Sequence, residues 1–449
     1  MPKKILPLRT LLLISVGFIN SVGISPMLHA ADLLQVYQDG LQENPSLLAA
    51  KAQFNVISEN VTQSRAALLP QISGNVNISR GTTDVTSSDS SFITTGSRDT
   101  ESQGYNLNLN QSLYNRAYWE RLRQSKASNA QAELEYRLTE QELIITATEA
   151  YFAVLSAQDN VEFANSELKS VGKQLELSKQ RYNVGLIPIT DVKESQSEYD
   201  RATAAKIQAD NQFASYIEAL WVLTRQYYDG LANLSENVPL LDPEPADKQA
   251  WVDNALKNNL SLLANQFALD AAEHDINQTR AEHYPTLDLI AQHDYSDSEG
   301  GSFGGSEQTQ DSLMLQLHVP IYSGGATSSR VRQSVYRSEA LRQQAEDTRR
   351  RVIRQTRDAY LNVSAGIARV NALKQSMIST QAAYDATNVG FRVGTRNTTE
   401  VLRSLRDTFG AKRDYAQARY EYVLNHLRLK QAVGTLSIAD LQLINQWMK

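Results

Sequence analysis

Tyr105-Asn106-Leu107-Asn108-Leu109-Asn110-Gln111-Ser112-Leu113-Tyr114-Asn115 decides how this chain is read. Tyr105, Leu107, Leu109 and Leu113 occupy alternate positions with polar residues between them. A period of two gives a strand one apolar and one polar side. Leu313, Leu315, Leu317, Val319 and Ile321 copy the pattern in the second half of the chain. Each of these strands is preceded by another. Ile72, Val76 and Ile78 alternate with Asn75, Asn77 and Ser79, and Leu287, Leu289, Ala291 and Tyr295 form the fourth alternating set. Each strand is expected to run about ten residues, the length of a tilted strand that crosses a bilayer. Polar loops are expected over 81–102 and 297–310.

The duplication extends far beyond the strands. Val184-Gly185-Leu186 recurs as Val393-Gly394-Thr395, and Ala150-Tyr151 as Ala359-Tyr360, each 209 residues on. Leu113-Tyr114-Asn115 recurs as Ile321-Tyr322-Ser323, 208 residues on. Asn44-Pro45-Ser46-Leu47-Leu48 matches Asn259-Leu260-Ser261-Leu262-Leu263, and Arg65 to Pro70 matches Arg280 to Pro285, 215 residues on. Two copies of one unit suit quasi-symmetric assembly rather than a single asymmetric catalytic pocket.

Between the strands lie helical stretches with almost no breakers. Arg116 to Arg181 holds one glycine and no proline, a rod of about 100 Å at 1.5 Å per residue. Ser328 to Arg392 is its copy. Helices this long need coiled-coil packing. Val192, Tyr199, Ala202, Ala209, Phe213, Tyr216 and Leu220 keep a heptad phase, in a seam poor in Leu and Ile that suits a side-by-side helical wall.

The resulting division is a signal peptide over 1–30 and a first repeat over 31–238. A linker follows over 239–248, then a second repeat over 249–436 and a closing segment over 437–449. The first repeat has one helix from about Leu33 to Leu68, a hairpin over 70–115 and long helices over 116–184 and 190–230. The second has a helix, a hairpin over 285–322 and long helices over 326–392 and 398–434. The linker is placed by Pro239, Pro243 and Pro245, which a helix would not accommodate.

Composition narrows the function. The chain has no cysteine, so disulfides, thiolate metal sites and thiol nucleophiles are excluded. A net charge of −6 without a basic patch does not suit nucleic acid. Lys3, Lys4 and Arg9 precede the apolar run Leu11 to Ile24, followed by Leu28-His29-Ala30, the pattern of a secretory leader cleaved near Ala31. No later window is apolar enough for a spanning helix, so any membrane crossing must use strands. No phosphate loop, zinc spacing or nucleophile elbow is present, so no enzyme activity, cofactor or metal is expected.

Strands in lipid must close into a barrel, because an open edge strands backbone groups in hydrocarbon. Four strands cannot close alone, and two chains give too few for a lumen. Three chains give twelve, the first count that leaves a channel. The competing reading is a non-channel envelope stalk or adhesin built on the same rods.

The mature start Ala31-Asp32-Leu33-Leu34-Gln35-Val36-Tyr37 resembles the opening of the TolC family of outer-membrane efflux and secretion channels. So do Leu69-Pro70-Gln71, Pro320-Ile321-Tyr322-Ser323-Gly324-Gly325, Tyr182-Asn183-Val184-Gly185-Leu186, Val393-Gly394-Thr395-Arg396 and Ala432-Val433-Gly434-Thr435-Leu436. The resemblance covers essentially all of 31–436. It implies a mainly α fold with membrane β: a TolC-like homotrimer whose twelve-stranded barrel, four strands per chain, continues into a long α-helical barrel. It also implies a periplasmic adaptor (membrane fusion) protein, an inner-membrane RND, ABC or MFS translocase and outer-membrane lipid as partners, serving multidrug efflux, type I protein secretion or both.

The resemblance places a gate at the helix turns Gly185–Asp191 and Gly394–Glu400. An Arg at Arg396 and a Tyr at the position of Phe391 would bond to Thr190-Asp191. Phe391 lacks the hydroxyl, so that link is lost here. Gly185, Leu186, Gly394 and Thr395 resemble the adaptor-docking tips. Of two acidic constriction positions, the first is Glu400 and the second is Arg403. Carboxylates facing guanidiniums give a nearly neutral constriction. The pore should therefore be less cation-selective, and less easily plugged by trivalent cations, than the family type. A planar-bilayer reversal potential showing strong cation preference would overturn this.

Overall fold

The computed structural model describes residues 30–86, 95–300 and 304–448. The expected leader, 1–30, lies almost wholly outside the described residues, as do the tips of both hairpin loops. Among the described residues no helix is long and apolar enough to cross a membrane.

Both repeats follow the same order. The first holds α1 (Leu33–Glu43), α2 (Pro45–Ala66), β1 (Gln71–Val85), β2 (Gly96–Tyr114), α3 (Arg116–Asn183) and α4 (Ile189–Thr224). The second holds α5 (Lys248–Asn258), α6 (Leu260–Ala281), β3 (Thr286–Gly300), β4 (Ser306–His318), α7 (Ala326–Arg392) and α8 (Thr398–Val433), and α9 (Ile438–Asn445) closes the described chain.

Three expectations are corrected, two in the helices and one in the strands. The single helix expected over Leu33 to Leu68 is two. Asn44 leaves helical geometry, its Oδ1 accepts from the Leu47 amide at 3.0 Å, and Pro45 opens α2 where its missing N–H is harmless. Asn259 repeats the break, accepting from the Ser261 and Leu262 amides at 3.0 and 3.2 Å. The helix expected over 190–230 stops at Thr224, because Arg225 takes a left-handed backbone with φ 54°. The segment after 436 contains α9, opened by a Ser437/Asp440 capping box.

The strands correct the third. They span 15, 19, 15 and 13 residues, reaching well into the stretches expected to be loops. They form one antiparallel sheet in the order β1-β2-β3-β4. Its register puts Ile72, Leu109, Ala291 and Leu313 in one row across all four strands. The same face carries Val76, Leu107, Leu315 and Leu317. The other face is mainly polar, with Asn75 bonded to Asn106 at 2.9 Å and Ser79 to Ser102 at 2.7 Å, and Ile290 paired with Met314 as its apolar exception. On β3 and β4 the apolar face turns polar already at the His293–Asp311 pair, 2.6 Å apart and opposite Leu107, and on β1 and β2 past Ile78, where Arg80 meets Glu101 at 3.2 Å and Thr82 donates to Asp99 at 2.7 Å. The extra length is thus built from cross-strand polar pairs. With polar residues on both faces, the period of two disappears from the sequence although the strand continues.

Among the described residues the sheet has no core of its own within one chain. Ile72, Val76, Ile78 and Leu313 are each at least 74 % exposed on a single face. Tyr114, Trp119 and Tyr322 are exposed where the strands meet the helices.

The core lies midway along the rods. Tyr151, Phe152 and Leu155 of α3 meet Tyr422, Val423 and Leu427 of α8, with α1 and α9 strapped against them. The buried Tyr151 hydroxyl donates to the carbonyls of Ala232 at 2.7 Å and Ala31 at 3.1 Å, tying the start of the described chain and the inter-repeat segment to α3. Burial pushes that phenol above its usual range. The heptad seam expected on α4 is its covered face. Val192, Ala202 and Leu220 are buried, and the other four seam residues are half-buried.

Tyr151→Phe should cost about 1–2 kcal/mol, since it leaves the Ala232 carbonyl without this donor. Thermal unfolding, together with faster protease nicking between α4 and α5, reads this. An unchanged midpoint would count against the strap.

Candidate functional site

The tips of the two helical hairpins are built by the same device. At the end of α3, Leu186 N–H reaches Arg181 O at 2.9 Å and Gly185 N–H reaches Tyr182 O at 2.9 Å. At the end of α7, Thr395 N–H reaches Gly390 O at 2.9 Å and Gly394 N–H reaches Phe391 O at 3.2 Å. Each is a Schellman closure, which needs a left-handed residue after the helix cap. Gly185 and Gly394 supply it, with φ of 77° and 83°. The turns leave Val184, Leu186 and Val393 about 70 % exposed. The two docking tips implied by the resemblance are therefore solvent-facing apolar points held on rigid turns.

The restarts differ. Asn397 opens α8 with a full capping box: its side chain accepts from Glu400 N–H at 2.8 Å, and Glu400 Oε2 accepts from Asn397 N–H at 3.0 Å. Pro188 opens α4 without a side-chain cap bond. Asp191 is therefore not the cap of its helix. Its Oδ2 accepts from Thr398 Oγ1 of the other hairpin at 3.2 Å, and its Oδ1 lies 3.4 Å from Thr190 Oγ1. Thr399 Oγ1 likewise donates to Glu194 of α4. These two hydroxyl–carboxylate bonds stitch the start of α8 to the start of α4.

Arg396 does not reach Asp191 within the chain. Its Nη1 bonds Glu400 Oε1 at 2.9 Å, one helical turn on, because the capping box already holds that carboxylate beside it. The Asn397 amide first, and Arg396 second, hold the Glu400 carboxyl below its ordinary value of 4.5. Both side chains are well exposed, so the ion pair itself adds little. Arg403 is exposed on the same helix. Phe391 is only 2 % exposed, with the Arg181 guanidinium 4.4 Å from its ring centre. A cation–π contact and burial hold it where the resemblance expects a tyrosine hydroxyl bond.

Sequence reasoning missed Arg181, Glu194, Thr398, Thr399 and Gly390. A Cβ on Gly390 would meet Arg396 Cγ at 2.8 Å, so the glycine admits the arginine stem. Asn397 with Glu400 three residues on was a visible capping signature; the cross-hairpin bonds had no local signal.

An amphipathic open sheet feeding paired rods about 100 Å long, with closed turns at their far ends, defines a wall segment of an outer-membrane channel. Comparison with known proteins agrees. The chain matches the family model "Outer membrane efflux protein" over residues 36–224 and 251–435, and it belongs to that family. It is 34 % identical to the outer membrane protein TolC of Vibrio cholerae, covering 100 % of this chain and 99 % of that protein. It is 31 % identical to the alkaline protease secretion protein AprF of Pseudomonas aeruginosa, covering 92 % and 87 %. The Campylobacter jejuni CmeC outer membrane channel superposes with a TM-score of 0.75 at 16 % identity, over 93 % of this chain and 90 % of that one.

Gly394→Ala should cost about 1–2 kcal/mol from backbone conformation alone, because nothing lies within 4 Å of the added methyl. Hydrogen exchange at the Thr395 amide should quicken about 5–30-fold, with amides in mid-α8 unchanged. Because the folded Glu400 carboxyl titrates below its unfolded value, its capping contribution is complete above pH 4.5 and is lost only as pH falls through the lower folded value. Acid exchange at the Glu400 and Val401 amides reads this; loosening already complete at pH 5 would contradict it.

Proposed function

We propose that three copies of this chain form one exit duct: a twelve-stranded barrel in the outer membrane continued into the periplasm by a helical cylinder. One observation carries the reading. Toward the helices, the leucines and isoleucines of all four strands concentrate on one face, in the row Ile72, Leu109, Ala291 and Leu313 and its neighbours, while amides and hydroxyls dominate the other. A bilayer covers the first face and water fills the second. An envelope stalk has no use for an apolar face that is exposed in every copy.

The pore is passive, and partners supply the energy. An adaptor docks at Gly185-Leu186 and Gly394-Thr395, and an inner-membrane RND, ABC or MFS translocase delivers cargo. Both efflux and protein export are supported, since the matching family model is named for efflux and AprF for protease secretion. The tip is the gate. Thr190, Asp191, Phe391, Arg396, Glu400 and Arg403 cluster at its turns, and the Thr398–Asp191 and Thr399–Glu194 bonds keep one hairpin from swinging off the other.

Thr398→Val combined with Asp191→Asn should raise single-channel conductance of the reconstituted oligomer several-fold and leave assembly intact. Purified protein that forms no conducting oligomer would favour the stalk instead. Deletion of the gene separates the cargoes: drug sensitivity marks efflux, and loss of a secreted protein marks export.

A further inference from the structure

The first turns of α3 carry a cluster that neither the barrel nor the gate requires. Glu120 is a carboxylate only 3 % exposed. Its Oε1 accepts from Arg123 Nη1 at 2.9 Å and lies 3.9 Å from Arg116 Nε, and its Oε2 lies 2.9 Å from His274 Nδ1 of α6. The Arg116 guanidinium also rests over the Tyr284 ring, 5.3 Å from its centre. One buried carboxylate thus holds in place two guanidiniums that are themselves exposed. At about 100° per residue, Arg116, Trp119, Arg123 and Lys126 share an arc of about 80°, and all four are exposed. Two buried stripes flank them, Glu120 with Ala127 and Ser125 with Ala132. The Glu120–His274 pair gives the first stripe to α6, and the Phe54–Tyr136 ring contact puts α2 on the side of the second. Arg121 lies on the narrower arc between the stripes; Arg116, Trp119, Arg123 and Lys126 lie on the wider one. A helix in a closed ring meets its neighbours on the lumen side of its axis, so its wider free arc faces outward.

We propose that this stripe binds the phosphodiester headgroup of an anionic phospholipid in the periplasmic leaflet of the outer membrane, one lipid per chain. The stripe continues the membrane face of the sheet. Tyr114, Val319, Ile321 and Tyr322 are exposed at the strand ends, and Trp119 carries that apolar band one turn onto α3, where an indole suits the headgroup level. Arg116 to Lys126 covers about 15 Å of helix axis, and side chains on a helix lean toward its N-terminus, here the membrane end. The charge fits a phosphate: from Arg116 to Lys126 the chain has four cations and one carboxylate, and that carboxylate is the buried Glu120. Guanidinium forks match phosphate oxygens, and Lys126 adds a point charge below them. The second repeat does not copy the site. The positions 209 residues on from Arg116, Trp119, Glu120 and Lys126 are Gly325, Ser328, Ser329 and Val335, and only Arg123 recurs, as Arg332. The inference rests on the ring proposed above, which turns this arc outward, and adds the lipid that the ring selects.

The test equilibrates the purified oligomer in detergent with phosphatidylglycerol and phosphatidylcholine of the same acyl chains, and reads the retained lipid by native mass spectrometry. Phosphatidylglycerol is expected in at least about tenfold excess, because each cation near an anionic headgroup gives about a fivefold gain in affinity. Arg116→Gln/Arg123→Gln/Lys126→Gln should abolish the excess and leave three copies together. Arg342→Gln/Arg350→Gln/Arg351→Gln removes the same charge from exposed positions of α7 and should leave the excess intact. Phosphatidylglycerol with brominated chains should quench tryptophan emission in the parent protein, and the quenched component should be missing in Trp119→Phe. Equal retention of both lipids by the intact oligomer, or equal loss of the excess in both triple variants, would overturn the lipid site while leaving the duct. Inorganic phosphate that displaces the lipid at equal concentration would overturn the lipid as the occupant. Monomers alone, whichever lipid is present, would overturn the ring itself.

Discussion

The two free edges of the sheet dominate the behaviour of this molecule. Among the described residues, β1 and β4 each carry a row of backbone N–H and C=O groups with no partner strand. In hydrocarbon each unpaired group costs several kcal/mol, far more than the few kcal/mol that separate folded from unfolded protein. The apolar face presses the sheet into lipid, and lipid forbids open edges. Only neighbouring copies resolve that conflict. The duplication lessens the difficulty, because a chain that already pairs β2 with β3 carries the geometry for the missing contact.

The rods follow from the sheet. Every strand end near the apolar rows leads into a helix, so a closed barrel gathers its helices into a ring beneath it. Helices about 100 Å long have no single core, and stability concentrates where the chain thickens. At that belt the Tyr151 and Tyr422 hydroxyls satisfy carbonyls of the inter-repeat segment, and α1 and α9 seal the sides. The far tip lies beyond the belt, held by two Schellman turns, a capping box and two hydroxyl–carboxylate bonds. A tip so lightly tied is the part of the cylinder best able to move while the rest stays assembled.

The repeats show how one backbone serves two chemistries. Both turns use the same glycine device, yet only α8 is capped by its own side chains. That difference releases Asp191 from capping and makes it an acceptor for Thr398. It also places Glu400 beside Arg396, which takes Arg396 away from the partner that resemblance assigns it within a single chain.

Much was legible in the chain. Periodicity located the strands, the scarcity of glycine and proline set the rods, and Gly185 and Gly394 marked their ends, because each signal is local and repeated. Four features were not legible. The strands run on past Ile78 because cross-strand pairs such as Arg80–Glu101 stabilise them without an apolar period. Asn44 and Asn259 break helices that hydrophobic spacing alone would continue. Phe391 reads as a tyrosine that lost its bond, yet it is buried beneath Arg181 from the other hairpin. The bonds from Thr398 and Thr399 to Asp191 and Glu194 join residues more than two hundred positions apart. Sequence by itself determined what each segment must become, since backbone preference and hydrophobic period act within a few residues. Tertiary structure alone decided which of two equivalent surfaces is covered and which acceptor each side chain finds, because those depend on what the rest of the chain brings within a few ångströms.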